Sequence, residues 1–280
     1  MYSLVAIPWL ILVAMLLMLA YQLGRRRPAP ALQGSALQAE TPTPARGKVR
    51  IGLYNIHRAR GTDGRKDLQR IAEVMRREDL VGLCEVEGAG LPGQADQCSK
   101  LGAMLQMLHL FSPTQKRWGR YDRGNGLLSR YSLNRWSQEP LRDSTGTHPR
   151  SLLRADLDID GEEIPLFVTH LARRIDQAEQ LQTVFSRFRQ YERAVLVGDL
   201  NLVRASPLLQ DLLACPETTD ALAQVLEDDE PQRIDWIFTR GFKVTGGGAH
   251  PLGPSDHPYY WIELELQPEA DKPAKAGFTP

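Results

Sequence analysis

The chain opens with a run that is apolar on every side. No charged side chain precedes Arg25, and Leu4–Tyr21 reads LVAIPWLILVAMLLMLAY, with Pro8 as its one irregularity. At about 1.5 Å per residue, a helix over this run spans roughly 27 Å, close to the hydrocarbon core of a bilayer. The pattern predicts an uncleaved transmembrane anchor over 1–23. A cleaved signal peptide would carry a basic start and a small-residue cleavage site after the apolar run, and neither occurs. Residues 24–47 have no apolar periodicity, and Pro28, Pro30, Pro42 and Pro44 remove ladder donors, so the segment reads as a flexible linker. Residues 268–280 read as a flexible tail. The folded part is expected over 48–267.

Inside that stretch, short β-type runs alternate with segments of helical spacing. Val49–Asn55, Leu80–Cys84, Gly126–Ser129, Leu152–Ile159, Ile164–His170, Ala194–Val197, Arg233–Phe238 and Tyr259–Leu266 are strand candidates. Asp67–Arg77 places Leu68, Ile71, Ala72 and Met75 on one face, with Asp67 as N-cap. Ala95–His109 and Gln177–Tyr191 are also helix-like. Asp160-Gly161 marks a hairpin turn. Hairpins mixed with β-α-β steps predict an α/β (α+β) domain whose mixed sheets pack with helices in layers. Gly246–Gly248 opens no helix, which excludes a dinucleotide loop there.

Composition narrows the classes. The chain has 34 basic and 34 acidic residues, and 42% of it is hydrophobic, which excludes a disordered or collagen-like chain. Its three cysteines form neither a disulfide framework nor a paired zinc spacing. Zero net charge supplies no general attraction to nucleic acid, but leaves room for a local basic groove. Arg25–Arg27 directly follow the apolar run. By the positive-inside rule they place the large domain in the cytoplasm, with the periplasmic or extracellular side as the alternative.

Polar groups recur where apolar runs stop. Asn55 follows RIGLY, Glu85 follows LVGLC, and His170 follows LFVT. Asp199 and Asn201 follow VLVG, Asp235 sits within RIDWIF, and Asp256-His257 lie in GPSDHPYYW. Strand ends in α/β sheets are where sites are built, because the scaffold is rigid and the loops are open. A lone carboxylate at such a place is more often a cap or a turn residue. Eight such residues in one chain carry more weight. Carboxylates and an amide oxygen are hard ligands that favour Mg²⁺ or Mn²⁺ over zinc. A nearby histidine binds phosphoryl oxygen or handles a proton near neutrality, and an aspartate bonded to it would raise its pKa. The chemistry this set suits is attack on phosphorus.

The series YNIH, LCEVEG, GNGLLSR, FVTHL, VGDLN, RIDWIF and SDH, in this order, resembles the endonuclease/exonuclease/phosphatase superfamily, the deoxyribonuclease-I-like fold. The resemblance implies a four-layer α/β/β/α sandwich, two mixed sheets between outer helices, with the site at one edge. It further implies that Asn55 and Glu85 form the metal site, with Glu85 the principal Mg²⁺ ligand, and that Asp256 is a second metal-binding or water-orienting acid. Asp199 would orient or deprotonate the attacking water, and Asn201 would hold the phosphate. His257 would be the general acid/base, Asp235 its orienting partner and His170 a second catalytic histidine. Arg150 matches an arginine found near the scissile phosphate. His57 stands where abasic-site endonucleases of the superfamily carry an acid, and those enzymes lack a histidine at the THL position. Both features point away from abasic-site repair.

The expected activity is Mg²⁺-dependent phosphodiester hydrolysis by a membrane-anchored enzyme. The substrate stays open between nucleic acid (DNA or RNA) and a phospholipid or phosphoinositide headgroup. Trp118 and Tyr121 offer rings for base stacking, whereas an anchor favours a lipid. A catalytically inactive membrane scaffold that keeps the fold is the other reading. Such a copy is expected to have lost one of Glu85, Asp199, Asn201, Asp256 or His257, and none is missing.

Overall fold

The computed structural model describes residues 3–25, 27–39, 47–90, 93–117, 120–226 and 230–266. The tail expected over 268–280 and residues 40–46 of the expected linker lie outside them. The strands, in chain order, are β1 (Arg27–Pro28), β2 (Leu32–Gly34), β3 (Lys48–Asn55), β4 (Leu80–Glu87), β5 (Leu108–Arg117), β6 (Arg120–Ser129), β7 (Leu133–Pro140), β8 (Ser151–Ile159), β9 (Glu162–His170), β10 (Ala194–Asp199), β11 (Thr219–Asp220), β12 (Asp235–Arg240), β13 (Lys243–His250) and β14 (Tyr259–Glu265). The helices are α1 (Ser3–Gly24), α2 (Leu68–Val74), α3 (Gln97–Leu105), α4 (Gln177–Phe188) and α5 (Pro207–Leu213).

The strands form two seven-stranded sheets, β1-β5-β6-β4-β3-β14-β13 and β11-β12-β10-β9-β8-β7-β2. Both are mixed, because β3 runs parallel to β4 and β9 parallel to β10 among antiparallel neighbours. Alternation along the strands explains the layering. Ile51, Leu53, Leu127, Leu153, Val168, Val197 and Ile237 face one another between the sheets. Tyr54, Ile71, Val81, Leu83, Leu101 and Leu128 pack on the outer side of the first sheet, where α2 and α3 contribute side chains. Phe167, Leu181, Phe188, Leu196, Leu209 and Trp236 do the same for the second sheet with α4 and α5.

Local rules set the boundaries. Asp67 caps α2 by accepting hydrogen bonds from the N–H groups of Gln69 and Arg70. The expected hairpin at Asp160-Gly161 forms, with φ of 56° and 80°, the left-handed pair that a two-residue turn requires. The helix expected over 95–109 is shorter, because Gln106 turns left-handed at φ 54° and releases the chain into β5.

The Pro-rich segment departs from expectation. Residues 27–39 lie along both sheets as a strap. Arg27 and Pro28 pair with Lys116 and Gln115, and Leu32–Gly34 pair with Gln138–Trp136. The lost proline donors cost nothing here, because an edge strand needs only some of its N–H groups. Ala29, between two prolines, donates to the Thr114 carbonyl at 3.0 Å. Helix α1 does not join the sandwich: Trp9, Leu10 and Met18 are 64–68% exposed. Its side chains are described from Pro8 onward, and among the described residues no helix is long and apolar enough to cross a membrane.

Candidate active site

The strand registers bring the predicted residues together. In the second sheet Asp199 pairs with His170 on one side and with Asp235 on the other, so one cross-strand row presents all three at the sheet edge. In the first sheet Asn55 pairs with Cys84, which sets Glu85 one step beyond the row. The sheets meet here. The buried Asn55 donates from Nδ2 to Asp199 Oδ2 at 3.0 Å, which leaves Asn55 Oδ1 to accept from the His57 N–H at 3.1 Å.

Asp199 is the hub. Its Oδ2 also lies 3.3 Å from His170 Nε2, and its Oδ1 accepts the Asn201 backbone N–H at 2.9 Å. Asn201 turns left-handed at φ 52°, a conformation asparagine tolerates. Its amide donates to the Leu171 carbonyl and accepts from Arg173 Nε at 3.2 Å. Burial, reinforced by the Asp235 charge, pushes the Asp199 carboxyl well above the carboxylate range, against the pull of His257.

His257, on the loop before β14, reaches back to this row. Its Nδ1 lies 2.6 Å from Asp235 Oδ2, while its Nε2 faces Asn55 Nδ2 at 3.3 Å and Asp199 Oδ2 at 3.8 Å. Burial alone would lower its pKa. The Asp235 hydrogen bond and the charges of Asp235, Asp199 and Asp256 outweigh burial and push it up to about 9. His170 goes the other way. Burial first, and then the Arg150 charge, hold it well below the usual histidine range. The site therefore holds one imidazolium and one neutral imidazole at neutral pH. His170 has no partner independent of this network, because both histidines approach the same Asp199 oxygen.

Glu85 sits where the β4–β6 register breaks between Leu83 and Val86, and its own φ is 55°. The bulge is what aims its side chain, since a regular strand would not place a non-glycine residue there. Its carboxylate accepts no hydrogen bond among the described residues, and its nearest cation is Arg123 Nη1 at 3.8 Å. Asp256 stands apart from the hub. Its side chain is 51% exposed and lies 3.3 Å from His57 Nδ1. His57 itself opens a turn of three non-glycine residues with positive φ.

A cleft of about 680 Å³ joins Glu85, Arg150 and His170 to the loop residues Asp143, Thr145, Thr147, His148 and Ala172–Asp176. Asp176 ties the cleft's two walls by accepting from the Ser144 N–H at 2.7 Å, from Ser144 Oγ at 2.9 Å and from Arg142 Nε at 3.2 Å. The Arg150 side chain has no hydrogen-bond or ion-pair partner among the described residues, and its Nε is buried without one. Burial lowers its pKa, while the charges of Asp199 and Glu85 oppose the fall. Asn125 holds the adjacent backbone by donating to the Ser151 carbonyl at 3.2 Å.

His148, which has no motif around it in the sequence, lines the cleft. Arg173, Arg174 and the Asp176 clasp carry no spacing signal, because they are loop residues whose partners, such as Ser144 for Asp176, lie far away in sequence. Trp118 and the side chain of Tyr121 lie outside the described residues. Cys84 is no nucleophile: it is buried, donates to the Thr169 carbonyl, and burial pushes its thiol well up.

The atoms that could jointly hold an ion, all within 4.8 Å of one another, belong to Asp199, Asp235 and His257. The Asp235–His257 hydrogen bond already fills part of that space with a proton, so a cation there would have to displace it. Glu85 fits a hard ion better. It offers a carboxylate with no hydrogen bond to give up, and Mg²⁺ binds through one or two carboxylates with water and substrate phosphate completing its shell.

The comparisons bear on the fold and the family. No curated protein matches the chain. An endonuclease/exonuclease/phosphatase from Beutenbergia cavernae is 26% identical, with a TM-score of 0.66 over 78% of this chain and 72% of its own. A mannosyl-6-phosphatase from Bacteroides thetaiotaomicron (16% identity, TM-score 0.62, 77% of this chain and 99% of its own) shares the fold. So does TDP2 of D. rerio in complex with a single-strand DNA product (15% identity, TM-score 0.56, 78% and 98%). The model of the Endonuclease/Exonuclease/phosphatase family matches residues 52–257, and the chain belongs to that family.

Proposed function

We propose that this phosphoester hydrolase is a membrane-anchored, Mg²⁺-dependent phosphodiesterase, with Mn²⁺ as a substitute ion. The observation that carries the reading is Arg150: its Nε is buried without a hydrogen-bond partner among the described residues, in the cleft that also holds the Glu85 carboxylate and His170 of the cross-strand row. An unpaired buried cation is costly, and a phosphate's bidentate oxygens are its natural complement.

Glu85 would hold the ion, with the remaining lone pair of Asn55 Oδ1 at hand. When bound, the ion supplies charge neutralisation at the phosphoryl oxygens and lowers the pKa of water. The protein's own groups do the rest. Arg150 and the Asn201 amide bind the phosphate. Asp199, with its raised pKa, is a stronger base than an ordinary carboxylate. It orients a water and accepts its proton as the new P–O bond forms. His257, cationic and held by Asp235, donates a hydrogen bond and then a proton to the leaving oxygen as the old P–O bond breaks. Neutral His170 keeps Asp199 Oδ2 oriented. Asp256, through His57, contributes negative charge at the rim.

Helix α1 serves as the anchor in this reading. Its support is the uncharged run before Arg25 and the exposure of its described apolar side chains, such as Trp9, Leu12, Met15 and Leu19. Arg25–Arg27 favour a cytoplasmic domain. The test is to assay the full chain with and without Mg²⁺ on plasmid DNA, phospholipid vesicles and bis-p-nitrophenyl phosphate in parallel, after fractionating it with membranes. Mg²⁺-dependent cleavage of a diester by membrane-bound protein supports the reading. Activity unaffected by EDTA, or protein recovered in the soluble fraction, contradicts it.

A further inference from the structure

We infer that the strap holds the cleft against the bilayer in which α1 sits, so that the enzyme acts on the phosphodiester headgroups of lipids in that same bilayer. The inference rests on the phosphoesterase and anchor readings above and adds the orientation and the substrate class.

A flexible segment over 24–47 would have let the domain tumble, with a reach of roughly 25–30 Å. The structure replaces it with a bonded connection. Helix α1 ends at Gly24 and β1 begins at Arg27. The Arg25 N–H donates to the Tyr21 carbonyl at 3.0 Å, and Arg27 Nη2 donates to Gln22 Oε1 at 3.1 Å, so the junction itself is tied. Beyond it, Gln138 Nε2 donates to the Pro30 carbonyl at 3.0 Å and Gln138 Oε1 accepts from Ser112 Oγ at 2.7 Å. Ser112 lies on β5 and Gln138 on β7, so the buried Gln138 fastens the strap to both sheets at once.

The register then fixes where the helix leaves. Pro28 pairs with Gln115, Gln115 with Arg123, and Arg123 with Glu87, two residues past Glu85. One row across the first sheet thus runs from the anchor's exit to the catalytic end of β4. The same side is reached from the second sheet. Arg25 Nη2 stands 3.8 Å from where a Cβ on Gly146 would lie, and Gly146 sits between Thr145 and Thr147 in the cleft wall. The anchor emerges at the cleft's mouth.

The rim suits a headgroup layer. Ile175 is an apolar side chain 62% exposed at the cleft edge. Beside it the Arg174 guanidinium has no partner among the described residues. An apolar tip next to a cation is the pairing that sits at an anionic interface. A duplex approaching the same mouth would have to share it with α1 and the bilayer.

The test uses the full chain carrying Cys215→Ser and one new cysteine, Ile175→Cys at the rim or Glu192→Cys at the opposite end of β10. Cys84 and Cys98 are buried and escape labelling. Each variant is labelled with an environment-sensitive fluorophore and reconstituted in vesicles containing headgroup-nitroxide lipid. The wild-type chain is assayed in phosphatidylglycerol, phosphatidylinositol and sphingomyelin vesicles. Expected are several-fold stronger quenching at 175 than at 192, and release of headgroup phosphate at least tenfold faster from the enzyme's own vesicles than from separate ones. Equal quenching, equal rates, or faster cleavage of a single-stranded oligonucleotide than of any lipid would overturn the inference while leaving the phosphoesterase reading intact. No Mg²⁺-dependent turnover of bis-p-nitrophenyl phosphate would overturn that reading, and the substrate class with it.

Discussion

His257 Nδ1 and Asp235 Oδ2 lie 2.6 Å apart although their residues come from a loop and a strand on different sheets. The carboxylate sets the ring's tautomer and holds its charge, which is how an orienting acid acts on a general acid/base histidine. His257→Ala should lower kcat/KM by about 10²–10⁴. Asp235→Asn should cost less, because the imidazole survives. The double variant should fall little below His257→Ala alone, since residues acting as a unit are non-additive. The cycle is measured on one soluble diester, with folding checked by circular dichroism; independent, fully additive losses would reject the dyad.

The raised pKa of His257 gives a pH dependence with a definite sign. Its folded value, about 9, lies above the ordinary 6.5. The stabilisation from the charged ring is therefore complete below about 6.5 and is lost as pH rises through about 9. In EDTA, the Tm advantage of wild type over Asp235→Asn should shrink as pH rises through about 9. An advantage that grows from pH 6.5 to 9 would reverse the assignment.

Arg150→Met should lower kcat/KM by about 10²–10³, the usual cost of losing a charge-stabilising donor. It should change Tm little, because the guanidinium has no hydrogen bond to lose. Arg150→Lys should recover only part of the activity, since an ammonium cannot present two parallel donors. A large stability loss with intact kcat/KM would make Arg150 a structural residue.

The Asp176 clasp joins the loop after β7 to the loop before α4. Asp176→Ala should raise KM several-fold with kcat changed far less, because it frees both cleft walls and touches no reacting group. Ser144→Ala, which removes one of the three bonds, should have a smaller effect in the same direction. An equal fall in kcat with KM unchanged would place Asp176 in the chemistry.

Much of this site was readable before any coordinates. Asn55, His170 and Asp199 were visible because apolar β runs stop at them, and strand ends are where register can align them. Asp235 and His257 were visible through short motifs, and the family resemblance supplied their pairing, which spacing alone does not encode because the loop before β14 closes the gap between them. Glu85 was found as a residue but not as a bulge. The strap was misread because proline content was taken to exclude pairing, a rule that holds for central strands and not for edges. Strands β5 and β7 bury polar side chains, among them Ser112 and Gln138, so their apolar signal is too thin to register. His170 and His257 share Asp199 Oδ2, which no single-residue pattern can show.

The central claim is that an ion held at Glu85 and the Asp199–His257 network together hydrolyse a phosphodiester. It is tested most directly by kcat/KM of the full chain on bis-p-nitrophenyl phosphate against Mg²⁺ concentration, for wild type, Glu85→Gln and Asp199→Asn. The account predicts activity abolished by EDTA and restored by Mg²⁺, a Glu85→Gln curve displaced to higher Mg²⁺, and an Asp199→Asn rate lowered at every Mg²⁺ concentration. Superimposable Mg²⁺ curves for wild type and Glu85→Gln, or a wild-type rate for Asp199→Asn, would contradict it.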